Sequence, residues 1–83
     1  MIVSQAVSEG ATFQSRFVLA LDRAKLEPEA VEAATGRAFT ARTVRRWIRG
    51  DSAPGVESLP ILCPLLGVNA DWLVGLTDDP DPR

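Results

Sequence analysis

Glycine and proline divide the sequence into short stretches in which apolar residues recur every three or four positions. This spacing places apolar side chains on one face of an α-helix, whereas a strand alternates with a period of two. Only Met1–Val7 is a strand candidate. The first clear helical stretch follows Thr12, a suitable N-cap, and contains Phe13, Phe17, Ala20, Leu21 and Ala24.

The same signals predict five helices in total. Pro28 suits the first turn of a second helix, and Gly36, Gly50 and Gly67 mark later helix ends. The expected helices cover residues 13–25, 28–34, 40–49, 56–66 and, from residue 69 or 70, a short segment to 76. The expected fold class is therefore all-α, a compact five-helix bundle.

Two prolines fall inside the expected fourth helix. Pro60 is tolerated if the helix begins near Ser58, because proline is compatible with a first helical turn. Pro64 is expected to require a bend. The leucine spacing turns Cys63 inward as a buried apolar residue, and Trp47 and Trp72 are expected in the core.

Length and composition indicate one domain. A chain of 83 residues has room for a single small core. We expect an N-terminal arm over residues 1–11, a folded domain over 12–76 and a flexible acidic tail over 77–83. No apolar run has the length of a membrane span, and no signal peptide is evident, so the expected location is cytoplasmic.

Thr40–Gly50 is the most basic segment of the chain. It contains four arginines and no acid, whereas Val44 and Trp47 are spaced to face the same side of a helix. The whole chain has a net charge of −2, because residues 51–83 contain six acids against Arg83 alone. Such a charge distribution suits a protein that contacts a polyanion with one face.

Two predicted helices joined by a short turn have the layout of a helix-turn-helix. The chain resembles the lambda-repressor-like (Cro-type, xenobiotic-response-element) helix-turn-helix domains over residues 13–76. The resemblance lies in Thr40-x-x-Thr43-Val44-x-Arg46-Trp47-x-Arg49-Gly50, Pro54 and Leu59-x-x-Leu62-x-x-x-Leu66-Gly67-Val68-Asn69-x-Asp71-Trp72-Leu73. Three departures are a longer turn at Thr35–Phe39, Pro28 near a position where the family often has glutamine, and Pro60 and Pro64 inside the fourth helix.

The resemblance implies a third helix in the major groove of double-stranded DNA and a homodimer on a palindromic operator. By position, Ala41, Arg42 and Arg45 or Arg46 would face base edges. The hydroxyls of Thr40 and Thr43, together with Arg49, would meet phosphates. Backbone N–H groups near Ser52 and the side chain of Arg16 would add further phosphate contacts.

An apolar patch is expected on the outer side of the last two helices. Its members are Pro60, Ile61, Pro64, Leu65, Val74 and Leu76. Contiguous exposed apolar residues on a small protein usually mark an interface, so the patch predicts a dimer or partner surface. The alternative is a wider core contact with Ile2 and Val3 of the N-terminal arm.

The leading functional hypothesis is a sequence-specific DNA-binding transcriptional regulator, a small phage or bacterial repressor. The alternative is a protein-interaction module, antirepressor or antitoxin-like, that keeps the same fold. An enzyme is not expected, because the sequence has no histidine, nucleophile–base pair, metal cluster or phosphate-binding loop. No cofactor, metal or small-molecule substrate is expected either.

Overall fold

Five α-helices make up the computed structural model, which describes residues 12–82. They are α1 (Phe13–Ala24), α2 (Pro28–Ala34), α3 (Ala41–Arg49), α4 (Leu59–Leu66) and α5 (Ala70–Leu73). Residues 12–82 contain no strand, so the all-α prediction is confirmed over this range. The expected arm, including the Met1–Val7 strand candidate, lies outside the described residues.

Local capping sets the helix boundaries. Thr12 and Ser15 form a capping box at the start of α1, where the Thr12 hydroxyl accepts from the Ser15 N–H at 3.2 Å. Thr40 caps α3 in the same way, accepting from the Thr43 N–H at 3.2 Å. At its other end α3 stops at Gly50, whose φ of 82° few residues other than glycine adopt.

The expected start of the fourth helix at Val56 is wrong. Val56–Ser58 forms a 3-10 turn, Val56 is 77% exposed, and α4 begins only at Leu59. In a helix running from Val56, the ring of Pro60 would clash with the carbonyl of Val56. Starting at Leu59 moves Pro60 into the first turn. Pro64 lies within α4, which continues to Leu66.

The core lies between all five helices, and its centre is aromatic. The Trp47 ring packs edge-on against Phe17 of α1 at 5.8 Å between centroids and against Phe39 at 5.2 Å. The most fully buried side chains are Phe17, Leu62, Leu73, Val31 and Val44. Trp47, Trp72 and Cys63 are buried as predicted, and burial raises the pKa of the Cys63 thiol.

Residues 77–82 fold back against the bundle. The Asn69 side chain donates to the carbonyls of Asp79 at 2.7 Å and Asp81 at 2.6 Å, and the Asn69 N–H donates to the Pro80 carbonyl at 3.1 Å. The same side chain caps α5 by accepting from the Trp72 N–H at 2.7 Å. The segment expected to be a flexible tail is therefore hydrogen-bonded to the domain over these residues.

The end of α1 offers a test of backbone strain. Lys25 terminates α1 with a left-handed φ of 58°, a conformation that costs most L-residues about 1 kcal/mol and glycine almost nothing. We expect Lys25→Gly to raise the free energy of unfolding by roughly 0.5–1 kcal/mol in urea denaturation. Lys25→Ala is the matched control, because it removes the same side chain and keeps the cost of the left-handed φ. An equal gain in both variants would assign the effect to the lysine side chain instead.

Candidate nucleic-acid interface

Helix α3 presents two chemically opposite faces. Ala41, Val44 and Trp47 are buried against the core, and Ile48 is half-buried beside them. Arg42, Arg46 and Arg49 are exposed and follow one another at intervals of four and three residues. At 3.6 residues per turn this interval forms a single stripe directly opposite the buried face.

Polar contacts from other helices fix both ends of α3. At its N-terminus, a Glu32 carboxylate oxygen from α2 accepts from the Ala41 N–H at 2.8 Å. At its C-terminus, the Gln14 amide of α1 donates to the Ile48 carbonyl at 2.8 Å. Each contact satisfies a backbone group that a helix end leaves unpaired. The direction in which α3 presents its arginines is therefore set by α1 and α2.

Gly50 lies close to the end of the Gln14 side chain of α1. A Cβ placed there would lie 2.9 Å from the Gln14 side-chain oxygen. The first purpose of Gly50 is the left-handed helix end, and it also leaves room for the flexible end of the Gln14 side chain. Sequence inspection identifies the first purpose, but no local pattern reveals a contact that spans 34 positions.

The connection between α2 and α3 is as long as predicted, because six residues separate Ala34 from Ala41. Gly36 and Arg37 both have positive φ angles, of 62° and 69°. The Thr35 hydroxyl donates to the Val31 carbonyl at 2.8 Å and closes the end of α2. Phe39 is buried at the end of this turn, so the longer connection is anchored in the core.

The four arginines of α3 differ in their partners. Arg45 forms an ion pair with Glu29 of α2, and the Nε of Arg49 donates to Asp51 at 3.0 Å. The guanidinium groups of Arg42 and Arg46 have no hydrogen-bond or ion-pair partner within residues 12–82. These two guanidinium groups are the cations that α3 leaves available to a ligand.

The remaining predicted contacts near α3 fall into two groups. The Thr40 and Thr43 hydroxyls lie at the exposed N-terminal end of α3, 3.1 Å apart, and Ser52 is half-buried just beyond its C-terminal end. Ala41, in contrast, is only 7% exposed and faces the core. The prediction that Ala41 faces base edges is wrong, because it shares the buried side of the helix with Val44 and Trp47.

The prediction of a phosphate contact for Arg16 is also corrected. Its side chain is only 12% exposed. The guanidinium donates to the carbonyls of Trp72 at 2.9 Å and Thr77 at 3.0 Å, and it pairs with Asp78 at 3.1 Å. It also lies 4.7 Å from the centre of the Trp72 ring, within cation–π range. Arg16 therefore joins α1 to α5 and to the segment that follows it.

The apolar patch is largely exposed. Pro60 and Pro64 are exposed, Ile61 is 44% exposed, Val74 is 43% and Leu76 is 77% exposed. Leu65 differs, because it is half-buried and packs against the core. Val18 and Leu19 of α1 are further exposed apolar residues, which the helix-period pattern did not single out. The alternative contact with Ile2 and Val3 lies outside the described residues.

The part of the chain that the structure describes contains no group of three acidic, cysteine or histidine residues placed to hold a metal ion. Within the same range, no helix has the length and apolar character needed to cross a membrane.

Comparison with known proteins gives one informative similarity. The chain is 33% identical over 73 residues to the 26 kDa repressor protein of Escherichia phage HK022. The match covers 86% of this chain and 31% of the phage protein, so the chain spans about a third of the length of this curated relative. No family model matches the chain, and no solved structure matches it.

The contacts of Arg16 lead to a stability prediction. Arg16→Ala removes a charged donor from two carbonyls and should lower the free energy of unfolding by about 1.5–3 kcal/mol in urea denaturation. Arg16→Lys should recover only part of this, because one ammonium group cannot reproduce the geometry of a guanidinium fork. A stability of Arg16→Ala equal to that of the unsubstituted protein would contradict the assigned role.

Proposed function

We propose that the chain is a sequence-specific DNA-binding transcriptional regulator, a small repressor of phage or bacterial type. The observation that carries the proposal is the stripe on α3, where the guanidinium groups of Arg42 and Arg46 lack partners within residues 12–82 and lie opposite a buried face. Similarity to the HK022 repressor protein supports the same class of regulator. The proposed activity is DNA binding without a cofactor.

Helix α3 is the element proposed to enter the major groove. Its diameter suits that groove, and the arrangement of α2 and α3 suits a helix-turn-helix. Arg42 lies in the first turn of α3, where residues of such a helix commonly meet base edges. Arg46 follows one turn later on the same stripe. Either guanidinium can donate two hydrogen bonds to O6 and N7 of a guanine.

Phosphate contacts are assigned to groups at the two ends of α3. Thr40 and Thr43 offer hydroxyls at its N-terminal end, and the backbone near Ser52 offers N–H groups beyond its C-terminal end. Arg49 lies at the end of the stripe and Arg45 lies beside it, and both can also reach phosphates if they leave their carboxylate partners. Ala41 and Arg16 have no part in this assignment.

A homodimer is the proposed binding form. Two copies related by a twofold axis would place one α3 in each half of a palindromic operator. The exposed members of the apolar patch, above all Ile61 and Leu76, offer the surface for this association. The same patch also supports the second candidate function, a protein-interaction module that binds another protein through it.

The DNA-binding proposal is tested with Arg42→Ala and Arg46→Ala. Binding is measured over a salt series, on a duplex selected from a random-sequence pool and on an unselected duplex. For a residue that reads a base, we expect a loss of about 1–3 kcal/mol on the selected duplex and relaxed preference at one position. For a residue that contacts phosphate, we expect weaker binding to both duplexes and a shallower salt dependence.

Arg23→Ala is the matched control for these variants. Arg23 is exposed on α1 and likewise has no partner within residues 12–82, so its removal changes the net charge equally. If the α3 variants bind both duplexes as Arg23→Ala does, α3 is not the DNA-binding helix. Failure to select any duplex would favour the protein-interaction module.

The dimer proposal is tested with Ile61→Glu. A charge within the apolar patch should convert the dimer to a monomer, because burying an unpaired carboxylate is costly. The measurement is molar mass by light scattering, with thermal unfolding as a check on folding. Val18→Glu introduces the same charge at a similarly exposed apolar residue of α1 and should leave the mass unchanged. An unchanged mass for Ile61→Glu would argue against association through the patch.

A further inference from the structure

Two acidic residues lie directly beside the candidate DNA-binding face. Glu29 comes from the first turn of α2 and pairs with Arg45, and Asp51 follows α3 and pairs with Arg49. Along the sequence, residues 40–50 look uniformly basic. In the folded chain, carboxylates pair with two of the four arginines on α3, Arg45 and Arg49. The guanidinium groups of the other two, Arg42 and Arg46, are unpaired within residues 12–82.

These two ion pairs contribute little to folding stability. In both pairs the cation and the acid are about half exposed or more, so water and salt screen the attraction. Neither carboxylate accepts a hydrogen bond from a buried side chain. Their carboxylates are instead placed where an approaching phosphate would compete for the same guanidinium groups.

We propose that Glu29 and Asp51 are specificity determinants that suppress binding to the DNA backbone. This inference rests on the proposed function and concerns the same face. A phosphate that contacts Arg45 or Arg49 has to displace a carboxylate, and the displaced carboxylate then repels that phosphate. Non-specific affinity comes from phosphate contacts, whereas base reading depends on the unpaired Arg42 and Arg46. The acids therefore weaken random-sequence binding more than operator binding.

The experiment replaces each acid by its neutral amide, Glu29→Gln and Asp51→Asn, in the full chain. The probe is a random-sequence DNA duplex, and the observable is the slope of log affinity against log salt. We expect each variant to bind this duplex more tightly and to steepen the slope by about 0.9, the value for one added phosphate contact. Each added contact makes the affinity fall by a further factor of about 3.5 when the salt concentration rises from 50 to 200 mM. The double variant should show both increments.

Asp22→Asn is the matched control. Asp22 is an exposed acid on α1 whose carboxylate has no partner within residues 12–82, and its replacement changes the net charge by the same amount. We expect this variant to leave the slope unchanged. An equal steepening in Asp22→Asn would assign the effect to overall charge and overturn the proposal. So would an unchanged slope in both amide variants.

A second duplex, selected for tight binding, separates this inference from the proposed function. On that duplex the amide variants should gain less affinity than on random sequence, so that the ratio of specific to random affinity falls. If the protein selects a duplex but this ratio is unchanged or rises, the role of Glu29 and Asp51 is refuted and the regulator proposal survives. If neither the protein nor its amide variants bind any duplex, both proposals fail together.

Discussion

The packing of Trp47 is the constraint on which the rest of the structure depends. Its ring lies between Phe17 of α1 and Phe39 of the turn that precedes α3, and this fixes which side of α3 is buried. Aromatic rings packed edge to face resist rotation of the helix that carries them. Once Trp47 faces inward, the helical period sends Arg42, Arg46 and Arg49 outward. The candidate interface is therefore a geometric consequence of one buried indole.

Local signals in the sequence were sufficient to predict most of the fold. The caps at Thr12 and Thr40, the glycines at the ends of α3 and α4, and the apolar period of α1 depend only on residues within a few positions. The start of α4 was misjudged because the apolar period continues through Val56, whereas the Pro60 ring forbids the helix there. In that segment the steric clash of the Pro60 ring outweighs the hydrophobic pattern.

The candidate site was less predictable, because its decisive contacts join distant residues. The arginines of α3 were evident from composition, but their division into paired and unpaired groups depends on Glu29, which lies in another helix. Arg16 was placed at DNA by position alone, and in the fold it contacts Trp72 and Thr77, more than fifty positions away. Ala41 was misassigned because its position in the family resemblance was followed, although its spacing of three from Val44 places it on the buried side of α3.

The two tryptophans have a practical consequence, since the chain contains no tyrosine. Trp47 lies on the inner side of α3 among phenylalanine rings, whereas Trp72 lies in α5 beneath the guanidinium of Arg16. Their fluorescence therefore originates in two different environments, one beside two phenylalanine rings and one beside a positive charge. The molecule thus contains two intrinsic optical reporters, one for the helix proposed to bind DNA and one for the segment that closes the domain.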